Sequence, residues 1–495
     1  METSQLPVRL YKADQVRQGE QLAAKAMQLE MYQLMERAGQ AVFDVLVQQF
    51  PEVKSLLVCS GGGNNGGDGY IVARLAREVG MDVILWQLGD AGKLTGDAAL
   101  ARDAWLASGG EICQPQSSIS SSTEVVVDAL LGTGLKGRVR GDCAGLIQLI
   151  NEFACPVVAV DIPSGLCADT GVELGPVIRA EATVTFIGMK QGLCTGQAAN
   201  YTGQLCFSGL GVEAAFDDEC KPAAMRISRD EVSRCLPSRS RTAHKGDHGR
   251  VLCVGGDLGM AGAIRLASEA CARCGAGLTA VITQPDNVLS IVGARPEIMA
   301  QGWQDKAHEI TQRLDWADVV VIGPGLGQSD WSKALLFHFE STEKTMVVDA
   351  DGLNLLALSP DYKNNRIITP HPGEAARLLG TTVAEVEADR FAAAQSLQQK
   401  FGGVVVLKGA GTLIYGGQQY WLCMAGNPGM ATGGMGDVLS GIIGALAGQG
   451  LSLSEAARVG VWIHSTAADL CALEGERGVL ASDLFPYIRQ LVNPR

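Results

Sequence analysis

The sequence predicts an α/β protein of two domains, each built on a parallel sheet with helices on both faces. Three observations carry this. The chain has 495 residues, more than one hydrophobic core usually organises. Short apolar runs alternate with helical stretches in both halves, the order that produces parallel sheets. Glycine is abundant, at 62 residues, while aromatic residues are only 5% of the chain, and such a composition suits layers joined by tight turns.

In the N-terminal half, residues 12–50 carry helical patterning, with Asp14 as a plausible cap and Leu22, Ala26 and Leu29 on one stripe. Residues 55–59 form a short apolar β run, followed by Gly61-Gly62-Gly63-Asn64-Asn65-Gly66-Gly67-Asp68-Gly69 and a helix over 70–79. Residues 83–88, 125–130, 157–161 and 183–187 read as further buried strands. In a parallel sheet the site lies at the carboxyl ends of the strands. Three polar clusters fall there: Asn64 to Asp68; Asp128 with Gly132-Thr133-Gly134-Leu135-Lys136-Gly137-Arg138; and Asp161 with Ser164.

Gly61, Gly63 and Gly66 satisfy G-x-G-x-x-G, a weak dinucleotide signal by itself. The expected ribose-binding acid is at best Asp90, and Asn64, Asn65 and Asp68 crowd a loop that dinucleotide sites keep small. An ordinary dehydrogenase is therefore disfavoured. Asn, Asp and Ser oxygens from separate strand ends suit a hard monovalent or divalent cation. Helix or turn capping is the alternative for Asp128 and Asp161.

The segment 213–221 is acidic and poor in large apolar residues, and Pro237-Ser238-Arg239-Ser240-Arg241 follows soon after. A domain edge is expected here. No internal repeat relates the halves.

Beyond it, strands are expected at 250–255, 319–322, 346–351, 366–369 and 404–408, most of them ending in glycine. The first runs into Gly255-Gly256-Asp257 and Gly259-Met260-Ala261-Gly262, with a helix from Ala263; the second into Gly323-Pro324-Gly325-Leu326-Gly327. Glycine at strand ends marks close approach of backbone to a ligand. His371 stands between two prolines, which projects it from a rigid loop in either a structural or a site role. Lys408, before Gly409-Ala410-Gly411-Thr412, reads equally as a phosphate holder or as a buried stem with a solvated head.

The densest signal is Asn427-Pro428-Gly429-Met430-Ala431-Thr432-Gly433-Gly434-Met435-Gly436-Asp437, followed by the apolar segment 438–446. A glycine-rich turn that opens a helix is a ready phosphate site. The Asp437 carboxylate sits at its mouth, placed to take a proton from a hydroxyl attacking a phosphoryl group. The alternative, a flexible surface loop, does not account for an acid that opens an apolar helix.

The net charge of −13 argues against nucleic acid or anionic membrane as main partners, although a local basic pocket can still hold a nucleotide. The first thirty residues mix both charge signs, so no signal-peptide core is present, and no apolar run is long enough to span a bilayer. Fourteen cysteines are scattered without disulfide-framework spacing. Cys271 and Cys274 continue a helical pattern and read as core thiols. A soluble, cytoplasmic protein is expected.

Together these stretches resemble the bifunctional NAD(P)H-hydrate repair enzymes of bacteria. The resemblance covers nearly the whole chain and rests on residues 64–75, 128–134, 161–165, 245–251, 259–263, 323–327, 348–355, 368–379, 407–412 and 427–441. It departs at Ser60-Gly61-Gly62-Gly63, where the family more often has proline or asparagine between two glycines, and at His248, where an aromatic residue is usual. It implies a Rossmann-like three-layer αβα epimerase domain over 1–215 and a ribokinase-like three-layer αβα dehydratase domain over 222–495. The implied substrates are NADHX and NADPHX, nicotinamide cofactors hydrated on the dihydropyridine ring. The first domain would interconvert the R and S epimers. The second would dehydrate the S form with ADP and magnesium, giving NAD(P)H, AMP and phosphate. A homo-oligomer is also expected.

Carried over residue by residue, the resemblance makes Asp437 the base, with Gly434 to Gly436 stabilising the transferring phosphoryl group. Lys408, Gly409, Ala410, Gly411, Thr412 and Gly436 match the nucleotide site, while Ala263, Gly325, His371 and Asp437 match the hydrate site beside it. In the epimerase, Asn65, Asp128 and Ser164 match potassium ligands. Asn64 to Asp68, Gly132 to Arg138 and Asp161 match the hydrate pocket, with Asp161 as the proton-transfer or ring-polarising group. Two rival readings are a small-molecule kinase, which leaves the N-terminal half unexplained, and a non-catalytic dimerising scaffold in that half. Convergent polar groups at strand ends argue against the scaffold.

Overall fold

The computed structural model describes residues 6–339 and 341–493. The chain forms two compact units that divide between Met225 and Arg226.

The first unit contains strands β1 (Arg9–Tyr11), β2 (Ser55–Ser60), β3 (Asp82–Gln87), β4 (Val125–Ala129), β5 (Val157–Val160), β6 (Ala182–Phe186), β7 (Met189–Lys190) and β8 (Gln204–Ser208), and the boundary falls within β9 (Ala224–Arg226). Six of them make a parallel sheet in the order β3-β2-β4-β5-β6-β8. β4 is buried along its whole length, as apolar strands covered on both faces must be. β1 pairs parallel with β7 and antiparallel with β9. The order reverses between β2 and β4, so the crevice at their carboxyl ends is the topological switch point where ligands bind.

Local chemistry explains the departures from expectation. The helical patterning over 12–50 is two helices, Ala13–Ala26 and Met31–Gln49, broken where Gln28 takes a φ of 56°. Asp14 lies in the first turn and does not cap it; the Lys12 N–H donates to Gln15 Oε1 instead. Residues 64–68, read as loop, are the opening turns of the helix Asn64–Glu78. Gly61 and Gly66 permit this, since a Cβ on Gly61 would fall 1.9 Å from the Leu130 carbonyl oxygen and one on Gly66 2.1 Å from that of Gly61. The segment expected to join the domains is also folded. Glu213–Glu219 is a helix whose Phe216 is fully buried and meets Tyr11 edge-on at 4.8 Å. An end at residue 215 would remove that side chain from the core, so the first unit extends to Met225. The polar stretch 237–241 lies inside the second unit, where Arg239 donates to Gly275 O and Gln449 Oε1, both at 2.6 Å.

The second unit carries β10 (Arg250–Val254), β11 (Leu278–Thr283), β12 (Met299–Gly302), β13 (Val319–Ile322), β14 (Thr345–Val348), β15 (Arg366–Ile368), β16 (Val404–Leu407), β17 (Thr412–Tyr415) and β18 (Tyr420–Cys423). They run in the order β12-β11-β10-β13-β14-β15-β16-β17-β18, parallel as far as β16 and antiparallel over the last two. The switch point lies between β10 and β13, where the loops through Gly259 and Gly325 begin. The helix Met435–Gly448 packs tightly on the helix Ala261–Arg273: a Cβ on Gly441 would lie 2.1 Å from the Ala267 carbonyl oxygen. Among the described residues, no helix is long and apolar enough to cross a membrane.

Candidate active sites

At the switch point of the first unit lies a cavity of about 650 Å³. Asn64, Asn65 and Asp68 enter it from the opening of the helix after β2, Gly132 to Lys136 from the loop after β4, and Asp161 from the end of β5. Gly66 and Gly67 sit behind this wall as packing residues, with a Cβ on Gly67 meeting Met35 Sδ at 2.6 Å. Gly137 and Arg138 are exposed and lie outside the lining.

Asp161 has a φ of 66°, a strained value that turns its carboxylate back toward the sheet. Its Oδ1 accepts from Thr185 Oγ1 at 3.1 Å and the Phe186 N–H at 3.3 Å, and forms a short ion pair with Lys190 Nζ. Lys190 is buried and also donates to Thr185 Oγ1 and to Phe186 O. Across the same cavity stand Asp68 and Glu20. Burial, with Asp161 and Glu20 nearby, holds the Asp68 carboxyl well above the usual range. Burial pushes Glu20 up to about 7, against the pull of Lys190. Sequence reasoning passed over both Lys190 and Glu20. Their signals were a lone lysine closing an apolar run, and an acid on the helical stripe of Val16, Gly19 and Ala23, all buried.

Asp128 and Ser164 are locked together. Ser164 donates its hydroxyl to Asp128 Oδ1 at 2.6 Å and its N–H to Oδ2 at 2.8 Å, while the Leu130 N–H reaches Oδ1 at 3.2 Å. Burial pushes Asp128 up to about 6 despite these donors. The loop after β4 joins the pair through the Leu131 N–H, which donates to Ser164 Oγ at 2.8 Å. Asn65 packs on Gly132 of that loop, and its Nδ2 is buried without a partner. Among the described residues, no cluster of His, Cys, Asp and Glu makes a metal site, so any cation here relies on this oxygen set.

In the second unit Asp437 occupies the first turn of the helix Met435–Gly448, after Gly434 at a φ of 89°. Burial, then the nearby Asp349 carboxylate, pushes Asp437 up to about 7, and Lys408 opposes them. The head of Lys408 is not freely solvated, as one reading of its sequence context allowed. Its ammonium is held inside the fold, 2.9 Å from Asp349 Oδ1 and 3.6 Å from Glu374 Oε2. Burial alone would lower the ammonium, but these carboxylates hold it above its ordinary value. Ser440 donates to Asp349 Oδ2. A Cβ on Gly436 would lie 3.3 Å from Lys408 Nζ and 3.4 Å from Asp349 Oδ2, so the glycine run lies directly on this charged group. Asp349, Glu374 and Ser440 were not singled out from sequence. An acid at a strand end, as at Asp349, was the available signal.

His371 is not in a free loop. It caps the helix Pro372–Leu379, its Nδ1 accepting from the Gly373 N–H at 3.0 Å, while its own N–H donates to Glu374 Oε2 at 2.8 Å. Burial and then Lys408 lower its pKa, consistent with an accepting, neutral Nδ1. Ala263 and Gly325 are neighbours, a Cβ on Gly325 falling 3.0 Å from that of Ala263. Gly409 fits under the Arg390 guanidinium, which donates to Leu407 O and Lys408 O, and Thr412 Oγ1 donates to Gly409 O at 3.0 Å.

Two family models match the chain. Residues 31–192 match the YjeF-related protein N-terminus, and residues 251–490 match NAD(P)H-hydrate dehydratase. A bifunctional NAD(P)H-hydrate repair enzyme from Vibrio cholerae is 52% identical over 99% of both chains. One from Escherichia coli is 50% identical over 99% of this chain and 95% of its own. Among solved structures, a ribokinase-like superfamily protein from Enterococcus faecalis is 30% identical with a TM-score of 0.51, covering 54% of this chain and 94% of that one. The chain belongs to the bifunctional NAD(P)H-hydrate repair enzyme family.

Proposed function

We propose that the first unit interconverts the R and S epimers of hydrated NADH and NADPH, and that the second dehydrates the S epimer with ADP. The observation that supports this best is the pairing of two unlike sites in one chain. One is a cavity of carboxyls around a buried lysine; the other is a carboxylate aimed from a glycine-rich helix start. In the second site Asp437 takes the proton of the ring hydroxyl as it attacks the β-phosphoryl group of ADP, supplied as its magnesium complex; the bond from that phosphorus to the bridging oxygen breaks, and AMP leaves with the electron pair. The N–H groups of the glycine run hold the transferring oxygens. Loss of phosphate from the ester, with a proton from the adjacent ring carbon, restores the dihydropyridine. Lys408 to Thr412 and Gly436 hold the nucleotide; Ala263, Gly325 and His371 flank the hydrate.

In the first site Asn65, Asp128 and Ser164 would hold potassium. Their donors are hard oxygens, and the buried Asn65 Nδ2 that finds no partner among the described residues fits an amide assigned the other way round, with its oxygen turned toward a cation. The ion would supply fixed positive charge to a buried carboxylate. Pure R hydrate incubated with the protein and no nucleotide should yield the S epimer, faster with potassium than with sodium. No S product would end the epimerase reading, and equal rates would remove the cation from it.

A further inference from the structure

The cavity in the first unit holds more ionisable groups than Asp161 alone requires. Glu20 reaches its wall from the helix Ala13–Ala26, which lies outside the span matched by the family model. Its side chain is half-buried, and among the described residues no hydrogen-bond donor reaches the carboxylate. The charged groups that face it are Arg17 on its own helix and Asp68, Asp161 and Lys190 across the cavity. Asp161, by contrast, is the anionic half of an ion pair with Lys190 and accepts two further hydrogen bonds. A carboxyl that accepts no hydrogen bond among the described residues therefore shares one cavity with a carboxylate held by three donors through its Oδ1. Environments that separate two carboxyls in this way assign them opposite tasks.

The chemistry calls for such a pair. Water adds to an enamine at the carbon next to nitrogen, so the hydrate is a carbinolamine. Epimerisation must break the carbon–oxygen bond at that carbon and remake it on the other face. We propose that Glu20 is a catalytic acid of the epimerase, acting with Asp161 as the base. The Glu20 carboxyl gives its proton to the ring hydroxyl as the carbon–oxygen bond breaks. That electron pair leaves on water, and the nitrogen lone pair forms the carbon–nitrogen double bond of a planar iminium. Water then adds to the opposite face, giving its proton to the Asp161 carboxylate as the double-bond pair returns to nitrogen. The proton passes from Asp161 back to Glu20 through cavity water. Atoms and charge balance without any oxidant or reductant. Burial, which pushes Glu20 up to about 7, leaves a large share of it protonated at neutral pH and most of it below.

This inference rests on the epimerase reading, and one experiment separates the two. Wild-type full-length protein, Glu20→Gln and Glu20→Asp are assayed for R-to-S conversion across pH, and for ADP-dependent dehydration of pure S epimer. Glu20→Gln should lower the epimerisation kcat about a hundredfold or more, with KM changed little. Dehydration should be unchanged. Wild-type epimerisation should decline as pH rises through about 7, where Glu20 loses its proton, and the residual Gln activity should lack that decline. Glu20→Asp, which keeps the acid on a shorter stem, should fall between them, and it decides the matter if the Gln protein does not fold. Wild-type protein without R-to-S conversion would end the epimerase reading itself. Wild-type conversion with a Gln variant of equal rate and the same pH profile, or an Asp variant no different from wild type, would overturn the role of Glu20 alone.

Discussion

Asp437→Asn should reduce ADP-dependent dehydration by roughly two to four orders of magnitude, with nucleotide affinity little changed. Asparagine keeps the size and hydrogen bonding of the side chain but cannot accept the hydroxyl proton. A capping role would be served almost as well by Asn, and the structure gives Asp437 no capping bond, since Gly434 is the N-cap. The pH profile provides an independent check. A base must be ionised, and burial places Asp437 at about 7. Wild-type turnover should therefore rise as pH increases through about 7, and that rise should vanish in the Asn variant. Near-normal release of NAD(P)H and phosphate by Asp437→Asn would leave the mechanism without its base.

The second large effect belongs to Asp161. Asp161→Asn should slow epimerisation about a hundredfold or more while leaving dehydration of pure S epimer untouched. Asparagine is preferable to alanine here. Removing the side chain altogether would leave the buried Lys190 ammonium with no oxygen of Asp161 to meet, and breaking a buried pair costs about 3–5 kcal/mol. The amide oxygen can still accept from Thr185 and Phe186. Chromatographic separation of the epimers gives the rate directly, and an unchanged rate in folded protein would return Asp161 to a structural role.

What the sequence made legible follows from periodicity and punctuation. Buried parallel strands such as β4 and β13 each open on three consecutive valines after an acidic residue, and these were placed within a residue or two. β8, β11, β12 and the β17–β18 hairpin were not anticipated. β12 is Met-Ala-Gln-Gly and β8 is Gln-Leu-Cys-Phe-Ser, compositions that become strands through their neighbours in the sheet. Residues 64–68 misled because glycine-rich sequence normally signals loop, whereas here the glycines let a helix start press against Gly61, Met35 and Ala98. The same limit governed the sites. Asp161, Asp128 and Asp437 stand beside glycine or at strand ends and were visible. Lys190, Asp349 and Glu374 were not, because each matters through a partner distant in the chain: Lys190 is 29 residues from Asp161, and Lys408 is 59 from Asp349; Glu20 was not because only folding brings its helix to the cavity wall. Pairing of that kind is created by folding and has no local signature.

If one chain repairs both epimers of a hydrated cofactor, a single incubation shows it. A mixture of R and S hydrate is given to purified wild-type protein with ADP and magnesium, and the return of the reduced nicotinamide absorbance is followed to its end. The whole mixture should convert, with one phosphate released per NAD(P)H formed and the R epimer consumed as fast as the S pool draws it down. Conversion that stops at the S fraction, or that proceeds equally without ADP, would contradict it.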